Sequence, residues 1–335
     1  MLGLRNLHVK DLQEKRILIA VLNWGLGHLM RSIPLIKQLQ SQGNQVILAV
    51  SEEQKKFFQA ELTAVEYLHL AAYPFHFRGK GNFGTDLMLQ FFTLHRALKK
   101  ERKALKNWVE EKVIDCVISD QRLGFYNKKV RSILVSHQLK LALPWYQKLF
   151  QVYYSYYLKK FDTIWVPDFP DLEKRLSGKL SESKMKNCLF IGPLSRFQKQ
   201  TAVKKYAFGA LISGPPPYSH QLLQLVVEKF RKTGKPCFVL SSIADSKRMD
   251  GVELISYTST ADANELLQSA CFLVSRSGYS SIMDFTFLEE KAILIPTPGQ
   301  YEQVYLAEHL SERFIGLSEQ EFIDFDLNTL AIKMD

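Results

Sequence analysis

Short, unbroken apolar runs alternate along this chain with longer segments whose apolar residues recur every three or four positions. In the first part the runs are RILIAVLN (16–23), QVILAV (45–50), a short one near VEYLHL (65–70), VIDCVISDQ (113–121), RSILVSHQ (131–138), and those inside FDTIWVPD and CLFIGPLSR. Each is rich in Ile, Val and Leu, which suits a strand buried on both faces of a parallel sheet. Between them lie helical patterns. IPLIKQLQSQG is closed by Gly43, and Pro34 is placed in the first turns of a helix beginning near Ser32. A second helix opens at Glu52, DLMLQFFTLHRALKKERKALKNWVEEK (86–112) reads as one long helix, and LPWYQKLFQVYYSYYLKKF (143–161) as a tyrosine-crowded helix packed in the core and between domains. The alternation resumes with ALIS (210–213), PCFVLSS, GVELISYTS, CFLVS and AILIP. Helices are expected from about His220, after Gly278, over YLAEHLSERF, and as one or two short turns from Ser318 onward.

Strands alternating with helices predict an α/β protein with parallel sheets. At about 150 residues per domain, 335 residues make two. Residues 196–208, polar and basic, read as a linker between an N-terminal domain (1–195) and a C-terminal one (209–335).

Composition narrows the setting. No apolar run approaches the roughly 18 residues of a membrane-spanning helix, and the N-terminus lacks a signal-peptide core, so a cytoplasmic chain is expected. The four cysteines sit in strand-like runs without CxxC spacing, which suggests buried thiols and no zinc. Charge is uneven: residues 1–200 hold 32 Lys and Arg against 17 Asp and Glu, whereas residues 201–335 hold 12 against 17. A basic first half suits an anionic partner, a phospholipid surface or a phosphorylated acceptor; without a nucleic-acid motif, nucleic acid is not expected. Aromatic and basic residues interleave over 71–106, as an interfacial membrane contact requires, although a surface helix packed on a core has the same pattern.

The chemistry concentrates between Cys271 and Gln303. A strand that ends in Arg276, Ser277 and Gly278 and opens a helix leaves backbone N–H groups at the helix mouth, where negative charge is favoured. Asp284, seven residues after Ser277, falls on the same helix face and suits the paired hydroxyls of a ribose. Glu302 and Gln303 follow the next strand and reach the same sheet edge. Near the other end, WGLGH places His28 after Gly25 and Gly27 at the carboxyl end of the first strand, with Arg31 following. An imidazole there can take a proton near neutral pH. Asp120, His137 and Gln138 end strands at the same edge; each orients His28, contacts the acceptor, or merely satisfies a local backbone donor.

SRSGYSSIMD, PTPGQYEQ and NWGLGHLMRSIP together resemble the signatures of GT-B glycosyltransferases of the family 28 type. The resemblance implies two Rossmann-like, doubly wound domains facing across a cleft. It implies donor binding by the Ser-Gly helix start, with the ribose held by Asp284, where the family carries the longer Glu, and the sugar by Glu302 and Gln303. It makes His28 the candidate base or its electrostatic helper and sets Gly25 and Gly27 beside the phosphates of donor and acceptor. It further carries over Arg196 as a diphosphate partner, Ser213 and Gly214 as a phosphate loop, and Tyr257 and Thr258 as the resting place of the base. The implied function is inverting transfer of a hexose or N-acetylhexosamine from a nucleoside-diphosphate sugar, UDP expected, to a lipid-linked or other acceptor hydroxyl. No metal and no cofactor beyond the donor are implied, and Asp324 and Asp326 read as surface charge. A non-hydrolysing UDP-sugar epimerase and a non-catalytic basic protein binding membrane or nucleic acid are the rival readings.

Overall fold

The computed structural model describes residues 6–76, 83–142, 148–243, 246–249, 251–257, 259–330 and 332. They form two compact units, one of residues up to Leu194 and the other of Ser195 onward with the loop Trp24–Gly27.

The first unit is a seven-stranded sheet of β1 (Arg16–Val21), β2 (Gln45–Val50), β3 (Glu66–His69), β4 (Cys116–Asp120), β5 (Arg131–Val135), β6 (Thr163–Val166) and β7 (Cys188–Phe190). Every pairing is parallel. The order β3-β2-β1-β4-β5-β6-β7 means the chain builds outward one way from β1 and then the other way from β4. Loops leaving the carboxyl ends of β1 and β4 therefore part in opposite directions, the crevice where doubly wound sheets bind ligands. Leu18, Ala20, Ile47, Ala49 and Val117 fill one face of this sheet against Leu105 and Val109.

Helix α1 (Leu26–Ser41) starts six residues earlier than its sequence suggests, which puts Pro34 in its interior. The proline forfeits the bond to the Met30 carbonyl, but tertiary bonds made by His28 and Arg31 hold the preceding turns helical. After α2 (Glu52–Glu61), the single helix expected over 86–112 is two: α3 (Phe83–Leu89) and α4 (Phe91–Glu111). Gln90 breaks them. Its side-chain oxygen accepts from the His76 backbone N–H at 2.9 Å and its amide donates to the His76 carbonyl at 2.8 Å. The tyrosine-rich helix is α5 (Lys148–Leu158); its residues 143–147 lie outside the described ones.

The second unit holds β8 (Tyr206–Ile212), β9 (Cys237–Ser241), β10 (Lys247–Met249), β11 (Val252–Ser256), β12 (Ala270–Ser275), β13 (Ala292–Leu294) and β14 (Ile315–Gly316). The order is β10-β11-β9-β8-β12-β13-β14, parallel except for the antiparallel edge strand β10, which sequence pattern did not reveal. Its direction reverses between β8 and β12, a second switch point. Helices α6 (Tyr218–Arg231), α7 (Thr260–Gln268), α8 (Tyr279–Leu288), α9 (Tyr301–His309) and α10 (Glu319–Asp324) complete it. Phe208, Phe230 and Phe272 share its core with Phe322 and Leu327 from the C-terminal region. β8 begins inside the stretch read as a linker to residue 208, because the Tyr206 N–H joins the Ser269 carbonyl at 3.0 Å and its hydroxyl reaches Glu253.

Candidate functional site

In the first unit, four side chains meet where β1 and β4 part. His28 and Arg31 lie three residues apart on α1 and so share a face. Asp120 ends β4, and His137 lies two residues beyond β5. His28 Nδ1 is 2.7 Å from Asp120 Oδ1, Arg31 Nε donates to Asp120 Oδ2 at 2.7 Å, and Arg31 Nη2 donates to Oδ1. Arg31 Nη1 lies 3.3 Å from His137 Nδ1, and the Ser32 hydroxyl lies 3.4 Å from Asp120 Oδ2. Asp120, Arg31 and His137 are buried; the His28 side chain stays 19% exposed.

Burial alone would raise the Asp120 carboxyl, but Arg31 and His28 outweigh it and hold the group ionised well below the usual carboxylate range. Burial, then the Arg31 charge, push His28 below its ordinary value against the pull of Asp120. The ring is therefore neutral at pH 7. Since an ionised carboxylate can only accept, Nδ1 carries the proton and Nε2 keeps the lone pair. That is the geometry of an oriented base. Gly25, at φ +91°, occupies the left-handed region that favours glycine, and Gly27 sits in the first turn of α1. Gln138 is half-buried beside His137.

In the second unit Ser213 and Gly214 follow β8, and Arg276, Ser277 and Gly278 follow β12, the two strands of its switch point. Gly278 is the N-cap of α8 and no side chain caps the helix, so its first amides offer donors without intrahelical partners. Ser277 turns inward instead, fully buried, its hydroxyl donating to the Gln303 carbonyl at 2.8 Å. Arg276, expected on the donor, is a buried brace: it donates to the carbonyls of Pro296 and Tyr218 and pairs with Glu319 at 2.7 Å. The Gln303 side chain, expected on the sugar, closes its own loop, accepting from the Thr297 N–H at 2.8 Å and donating to Gln300. Glu302 is half-buried in the first turn of α9.

Asp284 lies inside α8, 5% exposed, and its Oδ1 accepts from the Ser195 hydroxyl at 2.7 Å. Burial lifts its carboxyl to about 6, against the opposing charge of Arg196 and the Ser195 bond. The Arg196 guanidinium covers the Phe197 ring at 4.4 Å and reaches the Tyr257 ring at 5.4 Å. Ser213 and Gly214 follow β8, with Gly214 exposed at φ +104°. Thr258 lies outside the described residues. Among the described residues, no group of three or more His, Cys, Asp or Glu side chains could hold a metal ion. Asp324 and Asp326 serve local bonds, to Gln320 and to the Asn328 N–H.

Residues 233–321 match the model of the Glycosyltransferase family 28 C-terminal domain. That segment is similar to a glycosyltransferase. No curated protein matches the chain. Among solved structures, the spinosyn rhamnosyltransferase SpnG complexed with thymidine diphosphate is similar at a TM-score of 0.64 and 13% identity, over 94% of this chain and 91% of that one. Arabidopsis thaliana UGT89C1 complexed with quercetin gives 0.66 at 12% identity, over 93% and 87%. LpCGTa in complex with UDP gives 0.62 at 13%, over 91% and 86%. The chain thus shares the two-domain α/β fold of GT-B glycosyltransferases, which both its sheets and these structures display.

Two residues of these clusters were not singled out from sequence. Ser32 lies one turn after His28 on the same helical face, so helical spacing is the signal that could have found it. Ser195 meets Asp284 from 89 residues away, and only the fold shows it.

Proposed function

We propose that this chain is an inverting glycosyltransferase that moves a hexose or N-acetylhexosamine from a UDP-sugar to an acceptor hydroxyl. The observation that carries the reading is the His28–Asp120 pair at the β1/β4 switch point, with Nε2 as the basic position. His28 Nε2 takes the proton of the acceptor hydroxyl as that oxygen bonds to the anomeric carbon and the bond from this carbon to the diphosphate oxygen breaks. The nucleoside diphosphate leaves as an anion, and the uncapped start of α8, with Arg196 nearby, suits that charge. Neighbours of the same fold bound to UDP and thymidine diphosphate support a nucleoside-diphosphate donor.

The expected partner of the first unit is an anionic membrane surface carrying a lipid-linked acceptor. On α4, Phe92, Arg96, Lys99 and Lys103 form one exposed stripe; on α5, Leu149, Val152 and Tyr156 form another, and half-buried Lys160, two residues past that helix, lies over the Tyr156 ring. Phe91 joins the two helices through Phe150 and Tyr153. Both stripes begin apolar and lead to cations, with Phe92 76% and Leu149 82% exposed. Apolar side chains suit the acyl boundary and the lysines suit anionic headgroups. No helix among the described residues is long and apolar enough to cross a membrane.

The test is a thermal-shift panel of nucleoside diphosphates and their sugars, followed by turnover assays with those that bind. UDP is expected to raise the melting temperature. His28→Ala should lower turnover by roughly a hundredfold or more while leaving the UDP shift in place. If both are lost together, His28 is a donor ligand and not the base. Interconversion of a UDP-sugar without any acceptor would replace this reading with an epimerase.

A further inference from the structure

Four polar groups of one helix, α1, converge on a single carboxylate at the end of β4 in the first unit. Asp120 receives His28, both donors of the Arg31 edge, and the Ser32 hydroxyl. Two carboxylate oxygens meeting Nε and Nη2 is the side-on fork of an arginine–carboxylate pair, which fixes the plane of both groups. Arg31 is 2% exposed, so water takes little part in this pairing. Its Nη2 also lies 2.9 Å from His28 Nδ1. A full positive charge thus stands beside the ring at 2.9 Å, against 2.7 Å for the negative one. A second proton on His28 would face Arg31 as well as Asp120, so the carboxylate orients the imidazole without drawing it into the imidazolium form.

The third arginine nitrogen acts on another element. Arg31 Nη1 can only donate, and His137 Nδ1 lies 3.3 Å from it. One buried guanidinium therefore touches both histidines of the cluster, while the Asp120 carboxylate draws the His28 proton to Nδ1.

We propose that Arg31 is the positioning residue of the His28–Asp120 pair: its side-on grip cancels the carboxylate charge and keeps His28 a neutral base with Nε2 open, while its Nη1 side faces His137. The proposal deepens the glycosyltransferase reading and rests on it only where turnover is the readout. It places Arg31 behind the base, a position its burial favours over direct contact with an acceptor.

The experiment is ¹⁵N-histidine NMR on the whole chain as a function of pH, with resonances assigned from His28→Gln and His137→Gln spectra. In the unmodified protein at pH 7, His28 is expected as the neutral Nδ1–H tautomer. A charged His28 at that pH, or its ring in the other tautomer, overturns the proposal without any variant having to fold. In Arg31→Met, His28 should titrate about one unit or more higher, because Asp120 is then uncompensated. Arg31→Lys, which keeps the charge, should return most of that shift. The acid limb of the turnover profile should move with the ring, and activity should recover at pH above it, which a merely structural defect would not do. An unchanged His28 titration in folded Arg31→Met refutes the assignment. The expected tautomer and shifts in a protein that turns over no nucleotide-sugar would support Arg31's role and remove the enzyme reading instead.

Discussion

Asp120 and Asp284 are the same side chain held at opposite ends of the titration range. Both are buried, and burial favours the neutral acid in each. Asp120 has a side-on arginine and a histidine against it, which overcome that cost; Asp284 has the Ser195 hydroxyl and the Arg196 charge, which do not. A carboxyl raised to about 6 in the folded chain, against 3.8 otherwise, binds its proton more tightly when folded. Its contribution is complete below pH 3.8 and is lost as pH rises through about 6. We expect the folded state to lose on the order of 3 kcal/mol over that window relative to Asp284→Asn, whose side chain does not titrate. Urea unfolding of both proteins across the range checks this. A constant difference between them would show that Asp284 does not titrate there. At this scale the sequence pointed to the residue types at the switch points; the direction each side chain takes depended on partners distant in the chain.

Helices and strands came through largely because their apolar periods are strong, and they departed from pattern where a tertiary bond intervened. The break at Gln90 depends on His76, and the early start of α1 on Asp120. Helix α5 was expected in the core and between domains, but Leu149, Val152 and Tyr156 are exposed while Tyr154, Tyr157 and Leu158 are buried. Its apolar residues surround the helix, so period alone could not choose the inner face. The short strands β10 and β14 lacked a run long enough to register. Packing on β8 supplies a test at this scale. A Cβ on Gly209 would fall 2.3 Å from the Phe238 ring, and Phe238 is fully buried in neighbouring β9. Gly209→Ala is therefore expected to destabilise the chain by roughly 1–3 kcal/mol, with part recovered when Phe238→Leu is added. Additive losses in denaturant unfolding would mean the two positions do not press on each other.

Charge is the property that belongs to the molecule as a whole. The chain carries a formal +10, and the excess lies in its first 200 residues. An attraction of this kind reaches only about a Debye length, near 8 Å at physiological salt, so binding to anionic lipid should weaken steeply as salt is added. Sedimentation with vesicles is expected to show binding to phosphatidylserine-containing membranes and little to neutral ones. Phe92→Ser with Leu149→Ser should reduce it several-fold by removing the apolar half of both stripes, while leaving the UDP thermal shift unchanged. Equal binding by the variant would place the contact elsewhere.

By itself the sequence determined the class of architecture, because strand and helix periods are local properties of side-chain order, and it marked the loops that leave the two switch points. What the tertiary structure decided was allegiance. Arg31 turns to Asp120, Arg276 to the carbonyls of Tyr218 and Pro296 and to Glu319, Gln303 to its own loop, and Ser195 to Asp284. A buried polar group must find a partner or bear the loss of its hydration, and which partner lies within reach is settled only when distant segments pack.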